Sequence, residues 1–74
     1  MIRKYDKVLV KWVDIVADLH SENKIVPCQA ESLGFVESNT KEYLRLVTSR
    51  YIDDKELADR IVIPKGWIKE IIKL

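Results

Sequence analysis

Residues 28–51 read CQAESLGFVE-SNTK-EYLRLVTSRY, which is two apolar-rich stretches joined by four polar residues. Serine, asparagine and threonine favour turns because their short side chains bond to nearby backbone groups. The linker at 38–41 therefore predicts a β-hairpin with strands over 28–37 and 42–51. This hairpin decides the fold class, because it makes the centre of the chain β-structure.

The register of the hairpin is predicted from burial. Pairing Glu37 with Glu42 places the large apolar residues of both strands on one face, and a slip of one residue would scatter them. The residues on that predicted apolar face are Leu33, Phe35, Leu44 and Leu46. Gly34 lies inside the first strand, which indicates a bend or a close approach of another backbone.

Three further strands are predicted outside the hairpin. Lys7 to about Ile15 is rich in β-branched and aromatic residues, although apolar residues there also fall at helical spacing. Polar residues 18–24 and Pro27 separate this strand from the hairpin. A short apolar strand follows at 60–63, and Pro64, Lys65 and Gly66 break it sharply. The segment 67–74 suits a final strand, with a short helix as the alternative.

Five short strands in 74 residues predict a single domain, 1–74, of the mostly β class. Such a chain can bury a core by curling into a small five-stranded barrel, SH3-like or Sm-like. The sequence holds 13 basic and 12 acidic residues, one cysteine and one histidine, so disulfide and structural zinc staples are excluded. Oligomerisation or a partner protein is then the expected support for a domain of this size.

The sequence predicts neither a signal peptide nor a membrane span, because Lys11 and Asp14 interrupt the first apolar run. We therefore expect a cytoplasmic location, in agreement with a lone cysteine. The net charge of +1 gives no general attraction to nucleic acid or to acidic membranes. Nucleic acid is thus a possible partner but not the favoured one.

Several short motifs resemble those of a group of short phage and prophage proteins of unknown function. They are Trp12-Val13-Asp14 in the first strand, the Ser32-x-Gly34 hairpin strand, and the ending Ile63-Pro64-Lys65. The resemblance implies an accessory viral protein with a small β-barrel, located in the host cytoplasm, and it transfers no catalytic residues. A second similarity, to Sm-like RNA-binding barrels, is confined to Lys65-Gly66, and Pro64 departs from that pattern.

No catalytic or metal-binding motif is present, so the sequence predicts a non-enzymatic protein without a cofactor. His20 lies in a polar loop without ligands at a useful spacing. A nucleophilic Cys28 would need a base and an electropositive site, so this lone cysteine is expected to be a small buried apolar residue. Asp53, Asp54 and Glu56 form a charged loop without the spacing of an EF-hand. We interpret all of these as ordinary structural or solvated residues.

The candidate binding residues are basic side chains near an aromatic one: Lys65, Trp67, Lys69, Lys73 and Arg45. If the segment is a strand, Trp67 and the three lysines share one face with Ile71. The other face then carries Ile68, Ile72 and Leu74.

The leading hypothesis is a protein-binding or self-assembling module that docks through its edge strands and exposed aromatic residues. Its partner would be a second copy or a host or phage protein, because the first and last strands are apolar on both faces. The alternative is that Trp67 and the basic residues bind single-stranded nucleic acid or a small signalling nucleotide.

Overall fold

The computed structural model describes residues 1–14 and 28–74, and within them the chain is mostly β-structure. The first and last segments are strands and not helices, as predicted. The predictions for Ile15, the polar segment 18–24, His20 and Pro27 lie outside the described residues. The elements are β1 (Lys7–Asp14), β2 (Cys28–Asn39), β3 (Tyr43–Arg50), β4 (Leu57–Pro64), a 3-10 turn (Lys65–Trp67) and β5 (Ile68–Lys73).

The five strands form one antiparallel sheet in the order β4-β3-β2-β1-β5. Its two edges, β4 and β5, are consecutive in the chain and are joined only by the 3-10 turn. Four residue steps from Pro64 to Ile68 span at most about 14 Å, whereas four strand spacings in a flat sheet add up to about 19 Å. The sheet must therefore curl. Pairing between the two edges is absent from the described strands, so the sheet is open.

The core lies on the inner, concave face of this sheet. Six side chains are fully buried there, and they come from the four strands β1 to β4: Val8, Val10, Val36, Leu44, Leu46 and Ile63. Half-buried residues complete the core, namely Ile2, Trp12, Ile61, Trp67, Ile68 and Ile71. Valine and isoleucine dominate because β-branched side chains pack well on a pleated surface.

The long strand β2 is shared between two halves of the sheet. Its residues Cys28–Phe35 pair with β1, and the pairing with β3 begins at Phe35. Next to this change of partner, a Cβ built on Gly34 would lie 2.8 Å from the backbone oxygen of Val47. The sequence predicts a bend or a close backbone approach at Gly34, and the close approach is confirmed.

The predicted hairpin register is wrong. In the structure Phe35 pairs with Val47 and Val36 pairs with Leu46. The next pair joins Ser38 to Arg45, so Glu37 is an extra residue of β2 without a partner in the β2–β3 pairing. Consequently Val36 faces the core with Leu44 and Leu46, while Leu33 and Phe35 lie on the opposite face, 55% and 42% exposed.

The turn explains this shift, because it lies later than the predicted linker. The hydroxyl oxygen of Thr40 accepts hydrogen bonds from the backbone N–H groups of Glu42 and Tyr43, at 3.2 and 3.1 Å. The backbone N–H of Thr40 donates to the oxygen of Tyr43 at 3.0 Å. Threonine thus nucleates the turn with its own side chain, and β2 extends to Asn39.

The predicted faces of the last strand also need correction. Lys11 pairs with Glu70 but Trp12 pairs with Ile68, so Lys69 is an extra residue in β5. Such a bulge reverses the alternation of side chains. Ile68 and Ile71 therefore both pack against the core, instead of facing opposite ways.

The two glycines provide a matched test of the close backbone approach at Gly34. Gly34→Ala should lower the free energy of unfolding by about 1–3 kcal/mol, because the new methyl group meets backbone that cannot rotate away. Gly66→Ala should change it by less than about 1 kcal/mol, since a Cβ there has no neighbour within 4 Å. Urea unfolding of both variants measures the difference, and equal stability of the two would contradict the close approach.

Candidate binding groove on the outer face

The outer face of the sheet carries an apolar row across three strands. Ile72 of β5 pairs with Leu9 of β1, and Leu9 pairs with Leu33 of β2. Ile72 and Leu9 are half-buried, and Leu33 is exposed. Because the core occupies the inner face, this row has no covering layer among the described residues. An apolar row on an outer sheet face is typical of a surface that contacts another molecule.

A groove of about 350 Å³ lies beside this row, towards β3 and β4. Val47 lies in the groove with only 1% of its surface exposed, and the aromatic rings of Tyr5 and Phe35 line it together with Leu57 and Arg50. Val47 is buried on the opposite side of β3 from the core residues Leu44 and Leu46. The groove is therefore an apolar depression with aromatic sides.

Tyr5 is held against the sheet by the backbone of the N-terminal segment. Its N–H donates to the oxygen of Val36 at 2.6 Å, and the Val36 N–H donates to the oxygen of Asp6 at 2.9 Å. Tyr5 adopts φ 72°, in the left-handed region, which costs a non-glycine residue about 1–2 kcal/mol. The two backbone bonds hold the backbone at Tyr5 against β2, and the Tyr5 ring, 57% exposed, lines the groove.

A carboxylate braces the β2–β4 side of the outer face. The single Nε–H of Arg60 donates to both carboxylate oxygens of Glu37, the extra residue of β2, at 2.9 and 3.0 Å. One of these oxygens also lies 3.7 Å from the Arg45 guanidinium. The Glu37 side chain is only 13% exposed. The bond from Arg60, followed by the charges of Arg60 and Arg45, holds the pKa of Glu37 below its usual range despite partial desolvation.

The structure assigns Trp67 mainly to packing. Its ring stacks on Trp12 with centroids 6.3 Å apart and planes inclined by 9°, an offset arrangement favoured between aromatic rings. Trp12 in turn donates its indole N–H to the hydroxyl of Ser32 at 2.9 Å. Both tryptophans are half-buried and contact the core.

The predicted basic residues are not brought together at one site. Lys65 shares the 3-10 turn with Trp67, and Lys69 is the exposed extra residue of β5. Lys73, near the other end of β5, lies 3.5 Å from Asp6. The pKa of Asp6 is lowered, first by a hydrogen bond from the backbone N–H of Arg3 and then by Lys73. Arg45 lies on β3, where it pairs with Glu37 and lies over the ring of Tyr43.

Both edges of the sheet are irregular. In β4, Asp59 adopts φ 58°, and its backbone oxygen accepts a hydrogen bond from the Thr48 hydroxyl at 3.2 Å. The strand ends at Pro64, which cannot donate a ladder bond. In β5 the extra residue Lys69 interrupts the ladder. Bulges, prolines and charges at an edge oppose the addition of another strand.

The structure also describes the charged loop at 53–56 and Cys28, and neither belongs to the groove. The N–H of Glu56 donates to the carboxylate of Asp54 at 2.9 Å, which closes the loop before β4. Cys28 begins β2 and is exposed, so the expected burial of this cysteine is wrong. Within residues 1–14 and 28–74 there is no group of three or more metal-binding side chains. The same residues include no helix long and apolar enough to cross a membrane.

The brace predicts a pH-dependent difference in stability. Glu37→Gln should unfold at a lower urea concentration than the original protein near about pH 7, because the carboxylate then accepts charged hydrogen bonds. A carboxylate with a lowered folded-state pKa stabilises above its unfolded pKa, about 4.3, and this stabilisation is lost as the pH falls through the folded-state value. The difference in urea midpoint should therefore shrink towards about pH 3.

Glu31→Gln is the matched control, because Glu31 is exposed on the same strand and makes no ion pair within the described residues. Its urea midpoint should follow that of the original protein at both pH values. A gap for Glu37→Gln that persists unchanged at low pH would contradict the assigned brace.

Comparison with protein-family models, with curated proteins and with solved structures finds no match to this chain.

Proposed function

We propose that this protein is a non-enzymatic module that binds another protein through the outer face of its sheet. One observation carries the proposal: Leu33 and Phe35, in the middle strand of the sheet, are exposed beside the fully buried Val47. A middle strand usually has both faces covered when apolar residues occupy both. The missing cover is therefore expected from a partner.

The irregular edges favour the face over the edges as the contact surface. Docking through edge strands requires a row of unpaired backbone groups in regular geometry. Asp59 and Pro64 disturb that row on β4, and Lys69 disturbs it on β5. We therefore assign the contact to the outer apolar surface and its aromatic residues.

The curled sheet supports an SH3-like or Sm-like barrel as the finer description of the fold. The supporting features are the edges joined by a three-residue 3-10 turn and a core drawn from the inner faces of the strands. A barrel that stays open exposes one continuous outer surface, which suits a docking module.

The nucleotide alternative has less support. Lys73 and Arg45 have carboxylate partners, and Trp67 stacks on Trp12. Only Lys65 and Lys69 stay close in sequence to Trp67 without such a partner in the described part of the chain. Two lysines beside a half-buried ring form a weak phosphate track compared with a cationic groove.

Site-specific crosslinking tests the proposal. A photo-crosslinking amino acid at position 33 should give a discrete protein adduct in cells that express the chain, and the mass of the adduct distinguishes a second copy from another protein. The same group at Lys41, in the hairpin turn, should give no such adduct. Identical adducts from both positions, or no adduct from position 33, would overturn the proposal.

A second variant separates docking from folding. Phe35→Asp in the protein that carries the crosslinker at position 33 should abolish the adduct. Because Phe35 is partly exposed, its replacement should cost less than the 3–5 kcal/mol typical of a core aromatic. Circular dichroism and urea unfolding check that the variant is still folded. A folded variant that keeps the full adduct would place the contact elsewhere.

A further inference from the structure

We propose that the groove lined by Tyr5, Phe35, Val47, Leu57 and Arg50 binds an acidic peptide segment that carries one bulky apolar side chain. This inference rests on the proposed protein-binding function and specifies the chemistry of the partner. The geometry of the groove indicates the apolar part, and the charges around it indicate the acidic part.

The apolar part follows from size and lining. Val47 and Leu57 are aliphatic, and Tyr5 and Phe35 add two rings. A volume of about 350 Å³ lies at the low end of ligand pockets. It suits a single large side chain with its adjoining backbone and is too small for the whole face of a helix. The groove is present in the chain without a partner, and the backbone of Tyr5 is bonded to β2.

The acidic part follows from an imbalance of charge around the groove. Arg50 lines it, Lys7 is the β1 neighbour of Phe35, and the Lys4 ammonium lies 5.2 Å from the centre of the Tyr5 ring. None of these three makes an ion pair within residues 1–14 and 28–74. Carboxylates on a partner would supply the missing counter-charges.

Glu37 and Glu56, which are close in sequence to the groove residues Phe35 and Leu57, both interact with Arg60. Glu37 bonds to Arg60 and also faces Arg45. The pKa of Arg60 is raised by that bond and, more weakly, by the charge of Glu56. Glu37 is thus engaged by Arg60 and Arg45, with a weaker contribution from the charge of Lys4, and it makes no ion pair with Lys7 or Arg50 among the described residues. The cations at the groove therefore favour a partner whose carboxylates lie next to its apolar anchor.

A peptide fits this groove better than a nucleic acid does. Nucleic-acid grooves follow a phosphate backbone with a continuous line of cations and stack bases on open rings. Here the deepest residue is the aliphatic Val47, and two of the nearby arginines share Glu37. The groove thus offers one apolar anchoring point with cations beside it.

The experiment selects peptides from a random displayed library on the folded full chain and then measures synthetic versions by fluorescence polarisation. Enriched peptides should combine a leucine, isoleucine or aromatic residue with neighbouring aspartate or glutamate. Replacing those acids by lysine, or the apolar residue by serine, should weaken binding at least about tenfold. Raising the salt concentration should weaken the acidic peptide as well.

Charge reversal on the protein identifies the groove. Arg50→Glu and Lys7→Glu should each weaken the acidic peptide about tenfold, whereas Lys41→Glu, an equal change of charge in the hairpin turn, should not. Oligothymidylate serves as a competing probe and should not displace the peptide.

Three outcomes would overturn the inference: no enriched acidic-apolar peptide, equal effects of Arg50→Glu and Lys41→Glu, or displacement by oligothymidylate. The crosslinking result distinguishes these failures from a failure of the proposed function. An adduct from position 33 without selected peptides would mean that the outer face binds a folded surface. Absence of both would remove the docking function itself.

Discussion

The close approach of Gly34 to the backbone of Val47 is the contact on which the sheet depends. A Cβ at this position would come within 2.8 Å of a carbonyl oxygen, so only glycine lets β2 pass this close to β3. β2 exchanges β1 for β3 as its partner at the neighbouring residue, Phe35. The close approach and the change of partner bring the inner faces of the two halves around one core. A 74-residue chain without disulfides needs that single core.

The sequence predicted the strands well and their pairing poorly, for a physical reason. β-branched residues in 7–14 and 60–63 favour an extended backbone, and Pro64 predicts the break before β5. Register depends instead on the turn and on bulges. The Thr40 side chain moves the turn, and Glu37 and Lys69 each add a residue that reverses alternation. Alternating hydrophobicity carries no information about such insertions.

Because the predicted register was wrong, the sequence did not predict the groove on the outer face. Burial was expected for Leu33 and Phe35 because they match Leu44 and Leu46 in size and spacing. The inner face instead receives Val36 from β2, because the later turn at Thr40 and the extra residue Glu37 change the register. The sequence holds one indication of this arrangement. A glycine inside a strand indicates that another backbone lies close to its face, and Leu33 and Phe35, on either side of Gly34, belong to the opposite face.

The spacing of basic residues in the sequence also does not predict which of them lie together in the structure. Lys65, Lys69 and Lys73 recur every four residues, yet the bulge and the ion pair with Asp6 divide them. The cations at the groove, Lys4, Lys7 and Arg50, come from an N-terminal segment and two strands, and only the folded sheet brings them near Phe35.

The irregularities of the fold and its candidate function have a common origin. The extra residue Glu37 faces both Arg45 and Arg60 on the outer face. Lys4, Lys7 and Arg50 at the groove make no ion pair within residues 1–14 and 28–74. The shifted register turns Phe35 outward, and the left-handed Tyr5 adds the second ring. A regular hairpin would bury Phe35 and remove one wall of the groove. The departures from ideal β-geometry therefore create the surface that a partner can recognise.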